Sequence, residues 1–105
     1  MEQPTLSKQA VLERLRADAE RIQACGVKRL DLFGSFARGE GGPESDVDLL
    51  VEFQPGRKTY HNFFKLAERL EQILQRPVEL LTRESLSPYI APRILQEAED
   101  LALRA

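Results

Sequence analysis

The sequence has little of what would place it outside the cell or in a membrane. Its 105 residues hold one cysteine, Cys25, so no internal disulfide can form. No stretch approaches the roughly 20 apolar residues of a membrane-spanning helix. The N-terminal stretch is charged and amphipathic and lacks the apolar core of a signal peptide. The expectation is a soluble, cytoplasmic protein with no membrane partner. Runs of like charge are also absent. Lys and Arg number 15 against 17 Asp and Glu, a net charge of -2, which disfavours binding to extended nucleic acid. No repeat, low-complexity tract or long linker divides the chain, so one domain over residues 1–105 is expected, with a single modest core. A P-loop is excluded, because neither Gly-Lys-Ser nor Gly-Lys-Thr occurs.

What is present is a regular alternation of helix and strand signals. Val11, Leu12, Leu15, Ala19 and Ile22 recur at helical spacing from a start near Ser7, and Gly26 supplies the stop. Residues 27–33 alternate as a strand, and a short helical turn follows at 36–38. Two glycines and a proline in 40–45 mark an exposed loop. A second strand is predicted over 46–53, and a helix carries Phe63, Leu66, Ala67, Leu70, Ile73 and Leu74 up to Pro77. "PVELL" reads as a third strand. Ser87 and Pro88 have the form of an N-cap and first helical residue, opening a last helix that presents Ile90, Ile94, Leu95, Ala98 and Leu101. The fold class is α/β (α+β), a small mixed sheet of three to four strands with helices packed on it. The helix between the second and third strands is a natural right-handed crossover, so those strands are expected to be parallel.

That topology gathers the chemistry. Asp46 and Asp48 stand at the start of the second strand and, two residues apart, project to one face with alpha carbons roughly 6.5 to 7 Å apart. Glu79 stands near the start of the neighbouring parallel strand. Adjacent carboxylates repel one another and call for a cation. Hard oxygen ligands with no histidine or cysteine nearby suit Mg²⁺, and three carboxylates allow two ions about 3.5 to 4 Å apart. An antiparallel first strand would deliver Gly34 and Ser35 to the same place. There glycine lets the backbone approach phosphate oxygens, the Ser35 hydroxyl can donate, and Arg38 can neutralise phosphate charge. Ser45 either caps its loop or reaches a phosphate. His61, the one histidine, reads as solvated or capping. Cys25 reads as a small apolar filler. Tyr60, Phe63 and Phe64 read as core more readily than as a base-stacking platform.

Gly34-Ser35, ten intervening residues, then Asp46-Val47-Asp48 match the signature of the DNA polymerase beta-like nucleotidyltransferase superfamily. With "PVELLTRESLSPYIAPRILQEA", the stretch 27–98 resembles the minimal nucleotidyltransferase (MNT) family. The resemblance implies the polymerase beta-like fold and Mg²⁺-dependent transfer of a nucleoside monophosphate from ATP. It implies catalytic and metal-binding roles for Asp46, Asp48 and Glu79, and triphosphate binding at Gly34 and Ser35. At Glu79 the family usually carries Asp, so this chain holds a side chain one methylene longer. Family members commonly act as antitoxins beside HEPN RNase toxins, and some add AMP to a tyrosine hydroxyl of the toxin. Two functions follow from the resemblance: a protein adenylyltransferase acting on a HEPN partner, or a binding module that neutralises its partner by covering it while its nucleotide site is weak or idle. With few residues after Ala98, an acceptor pocket is expected to be completed by a partner; homo-oligomerisation stays open.

Overall fold

The computed structural model describes residues 6–103; the outermost residues of the domain expected over 1–105 lie outside that range. The Ser7 side chain accepts the Ala10 N–H and caps helix α1, Lys8–Ala17. The apolar stripe read as one helix is broken at Asp18, and a second helix, α2, Ala19–Gln23, follows. Aspartate competes for backbone hydrogen bonds and suits such a joint. The bend carries Ile22 and Cys25 into the core beside strand β1, Val27–Phe33. Cys25 is buried there, as a filler should be.

From β1 the chain enters a four-residue helix, α3, Gly34–Ala37, earlier than the turn expected at 36–38. Strand β2, Val47–Phe53, begins one residue after Asp46. Helix α4, Tyr60–Leu74, crosses back to strand β3, Val78–Thr82. The sheet order is β3-β2-β1-β4, where β4 is Glu99–Asp100, with β2 and β3 parallel and β1 antiparallel to β2. Leu30, Leu32, Val47, Leu49, Val51 and Leu80 point to one face, where Val11, Leu15, Leu66 and Leu70 close the core. The opposite face carries Asp31 and Phe33, Asp48 and Leu50, Glu79 and Leu81 in matching register.

The C-terminal segment departs from the expectation. Ser87 organises a turn, accepting the Tyr89 N–H on its hydroxyl and the Ile90 and Ala91 N–H groups on its carbonyl. Helix α5 itself spans Ala91–Glu97 and has Pro92 in its opening positions. A helix from Pro88 would set the Pro92 ring against the residue 88 carbonyl, so the proline fixes a later start. α5 ends before Ala98. The chain then extends as a fourth strand, β4, Glu99–Asp100, antiparallel to β1. Leu101, expected on a helical face, is fully buried in the core, and its N–H donates to the Leu30 carbonyl.

Candidate nucleotide and metal site

Register alone brings three of the expected residues together. Phe33, the last residue of β1, lies opposite Asp48, and Glu79 lies opposite Asp48 on the other side. Directly paired residues share a face, so the Asp48 and Glu79 carboxylates are neighbours. Gly34 follows Phe33 with φ at +73°, and a Cβ placed there would strike Asp48 Oδ2 and lie 2.9 Å from Asp48 Cγ. Glycine is thus required both for the backbone turn and for room beside the carboxylate. Ser35 follows, half-buried.

Asp46 is exposed, and its backbone is held on both sides. The Val47 N–H donates to the Pro77 carbonyl at 3.1 Å, and the Ser45 carbonyl accepts Arg76 Nη1 at 3.0 Å. The same Arg76 nitrogen donates to the Gly42 carbonyl at 2.6 Å, and the guanidinium lies 5.4 Å over the Phe36 ring. Gly41 lies against that ring, where a Cβ would come within 2.6 Å of Phe36 Cγ. Ser45 Oγ accepts the Gly42 N–H at 3.0 Å, which places Ser45 inside the loop's own turn. Arg76 therefore ties the loop before β2 to the turn before β3. Sequence reading passed over it, although its position beside Pro77 at the mouth of β3 was a usable signal.

The carboxylates disturb one another. Asp48 has its pKa pushed up from 3.8 to about 6, first by burial, then by the adjoining Glu79 carboxylate and the charge of Asp46, against a weaker pull from Arg38. Such a group is relieved by a proton or by a cation. Among the described residues no three carboxylate, histidine or cysteine side chains close around one point. The set is open, as suits Mg²⁺, which takes one or two carboxylates and completes its shell with phosphates and water. The residues present fit that ion.

Arg38 is exposed at the end of α3. Its Nε donates to Glu40 Oε1 at 3.1 Å, and its Nη1 to Glu97 Oε2 and Oε1 at 3.1 and 3.3 Å. Glu97 Oε1 also accepts the Gly34 N–H at 3.0 Å. No sequence signal pointed to Glu97, which arrives from α5. The alternation of β1 sets Asp31 on the face opposite Leu30 and Leu32, yet it is buried, with Arg29 Nε at 2.8 Å and Arg83 Nη2 at 3.6 Å. It is a paired charge on the same sheet face as Asp48. Tyr60 and His61 begin α4 at the other end of the sheet. Tyr60, Phe63 and Phe64 line a 520 Å³ groove there with Thr82 and Ser85, remote from Asp48. Tyr60 and Phe64 are exposed, not core, and Phe63 packs against the core's edge.

Residues 12–101 match the family model of the nucleotidyltransferase domain. A chain of Methanocaldococcus jannaschii assigned as a protein adenylyltransferase is 45% identical over 76 residues, covering 72% of this chain and 81% of its own. The protein adenylyltransferase MntA of Thermococcus cleftensis is 40% identical over 72 residues, covering 69% and 72%. A solved structure assigned to the minimal nucleotidyltransferases superposes with a TM-score of 0.69 at 38% identity, over 83% of this chain and 92% of that one. The fold also recurs, at 19% identity and a TM-score of 0.62 over 90% and 71% of the two chains, in a complex of a tri-AMPylated Shewanella oneidensis HEPN toxin with its MNT antitoxin. With the Gly-Ser turn and paired carboxylates on a sheet of matching topology, this chain belongs to the nucleotidyltransferase domain family.

Proposed function

We propose that this protein transfers AMP from ATP to a hydroxyl group of a partner protein, a HEPN RNase toxin, and so acts as its antitoxin. The observation that carries the reading is the seating of Asp48 between the Gly34 turn and Glu79, with its carboxyl pushed up to about 6. A lone structural carboxylate has no need of such neighbours. The relatives named as protein adenylyltransferases and the AMPylated toxin found with an MNT antitoxin support the choice of group and acceptor.

In this reading Asp46 and Asp48 hold Mg²⁺, with Glu79 contributing to a second ion; when bound, the metal neutralises triphosphate charge and acidifies the attacking hydroxyl. Gly34 and Ser35 approach the phosphates, Arg38 offsets their charge once it leaves Glu97, and Ser45 shapes the loop that presents Asp46. Alternatively, in place of sharing a second ion, Glu79 would accept the acceptor hydroxyl's proton directly. The oxygen–phosphorus bond forms at the α-phosphorus as the bond to pyrophosphate breaks. The test is incubation of the complex with α-labelled ATP and Mg²⁺, read by intact mass of the partner. Stepwise addition of adenylate, with a fall in RNase activity, is expected. An unchanged mass with RNase activity still suppressed would leave only neutralisation by binding.

A further inference from the structure

The Glu97 carboxylate occupies groups assigned above to the substrate. An amide N–H donates one strong hydrogen bond, and that of Gly34 is given to Glu97 Oε1 at 3.0 Å. Both Glu97 oxygens also take Arg38 Nη1, at 3.1 and 3.3 Å. We propose that Glu97 is a latch on the nucleotide site: its carboxylate stands where a phosphate of the incoming nucleotide would sit, and nucleotide enters by displacing it. The inference rests on the reading of Gly34 and Arg38 as phosphate-binding groups.

Two features make the latch releasable. The Glu97 side chain is 25% exposed, so it lies at the rim and can swing into water. α5, which ends on Glu97, contains no buried residue and has no side-chain N-cap, so little packing holds it. A fixed carboxylate and a phosphate cannot share the same donors, since both are anions and both need the hydrogens. While closed, the contact keeps Arg38 and the Gly34 amide paired and disfavours nucleotide. A purely positioning role predicts the reverse, because Gly34 and Arg38 would lose their shape without Glu97.

Calorimetric titration of the full chain with Mg·ATP separates these. Glu97→Gln keeps the shape and removes the charge, and Glu97→Ala removes both. The latch predicts Kd values lower than the parent's by about tenfold in Glu97→Gln and by at least as much in Glu97→Ala. Without nucleotide, hydrogen exchange at the Gly34 amide should be slow in the parent, fast in Glu97→Ala, and slow again once Mg·ATP is added. Parent-like Kd values in both variants, with transfer intact, overturn the latch and leave the transferase standing. Weaker binding in Glu97→Ala overturns it in favour of positioning. No Mg·ATP binding by the parent or either variant overturns both the latch and the nucleotide reading on which it rests.

Discussion

Asp48 is pulled two ways: burial beside Glu79 favours its protonated form, and a bound cation favours the charged one. Its pKa in the folded, metal-free protein, about 6, exceeds the ordinary 3.8. The native state therefore binds the proton more tightly than the unfolded chain does. That contribution to stability is full below pH 3.8 and is lost as pH rises through 6. At pH 7 the charge is a burden, so Asp48→Asn should stabilise the metal-free protein. Half-exposure and screening reduce the gain to about 1 kcal/mol. Thermal melts in EDTA should show the variant ahead at pH 7 and level with the parent near pH 4. Added Mg²⁺ should raise the melting temperature of the parent alone. On the proposed function, in which Asp48 would hold Mg²⁺, transfer should fall by about a hundredfold or more. At Gly34 the constraint is steric. Gly34→Ala should cost about 1–3 kcal/mol in a denaturant titration and also lose transfer, because the new Cβ meets both a positive φ and the Asp48 carboxylate.

At the scale of elements, the sequence was informative wherever a local signal acts alone. Ser7 caps α1, residues 27–33 form β1, and the crossover helix makes β2 and β3 parallel, all as their patterns implied. The candidate site's arrangement was legible too: Gly34, Asp48 and Glu79 meet through strand register, which follows from the order of elements. What escaped reading depends on distant partners. Glu99 and Asp100 have no strand-like character, and they form β4 because Leu101 is drawn into the core next to β1. Glu97 and Arg76 act on groups 59 and 34 residues away, beyond any pattern window. Gln75, which caps the end of helix α4, lies in the left-handed region at φ 54°, a conformation that glycine adopts without strain. Gln75→Gly should therefore raise stability by about 0.5–1 kcal/mol in a denaturant titration, with transfer unchanged. The opposite result would mean that the Gln75 Nε2 bond to the Gln72 carbonyl at 2.8 Å outweighs the strain.

At the scale of the molecule, the large exposed apolar residues among those described fall into two groups, and distance decides which can serve the reaction. Tyr60 and Phe64 surround the groove at the end of β3 far from Asp48. Tyr89, Ile90 and Leu95 lie on and before α5, whose last residue touches Gly34. A strand of five residues spans about 16 Å, so a partner seated on the Tyr60 groove would have to reach the length of the sheet to bring a hydroxyl to the α-phosphorus. A partner on α5 would lie beside Gly34, which the last residue of α5 touches. Exposed apolar side chains of this kind mark contact surfaces when they cluster, and charged substitutions there are expensive only in the complex. On the proposed function, Ile90→Asp with Leu95→Asp should therefore cut adenylate transfer to the partner toxin by about tenfold or more, while the melting temperature and Mg·ATP affinity of the isolated chain stay near the parent's. Tyr60→Ser with Phe64→Ser should leave transfer within about twofold. Measuring both pairs by intact mass of the toxin assigns the docking face. Loss of transfer in the Tyr60 and Phe64 pair alone would move the partner to the far groove and require a toxin segment long enough to run back along the sheet to Asp48.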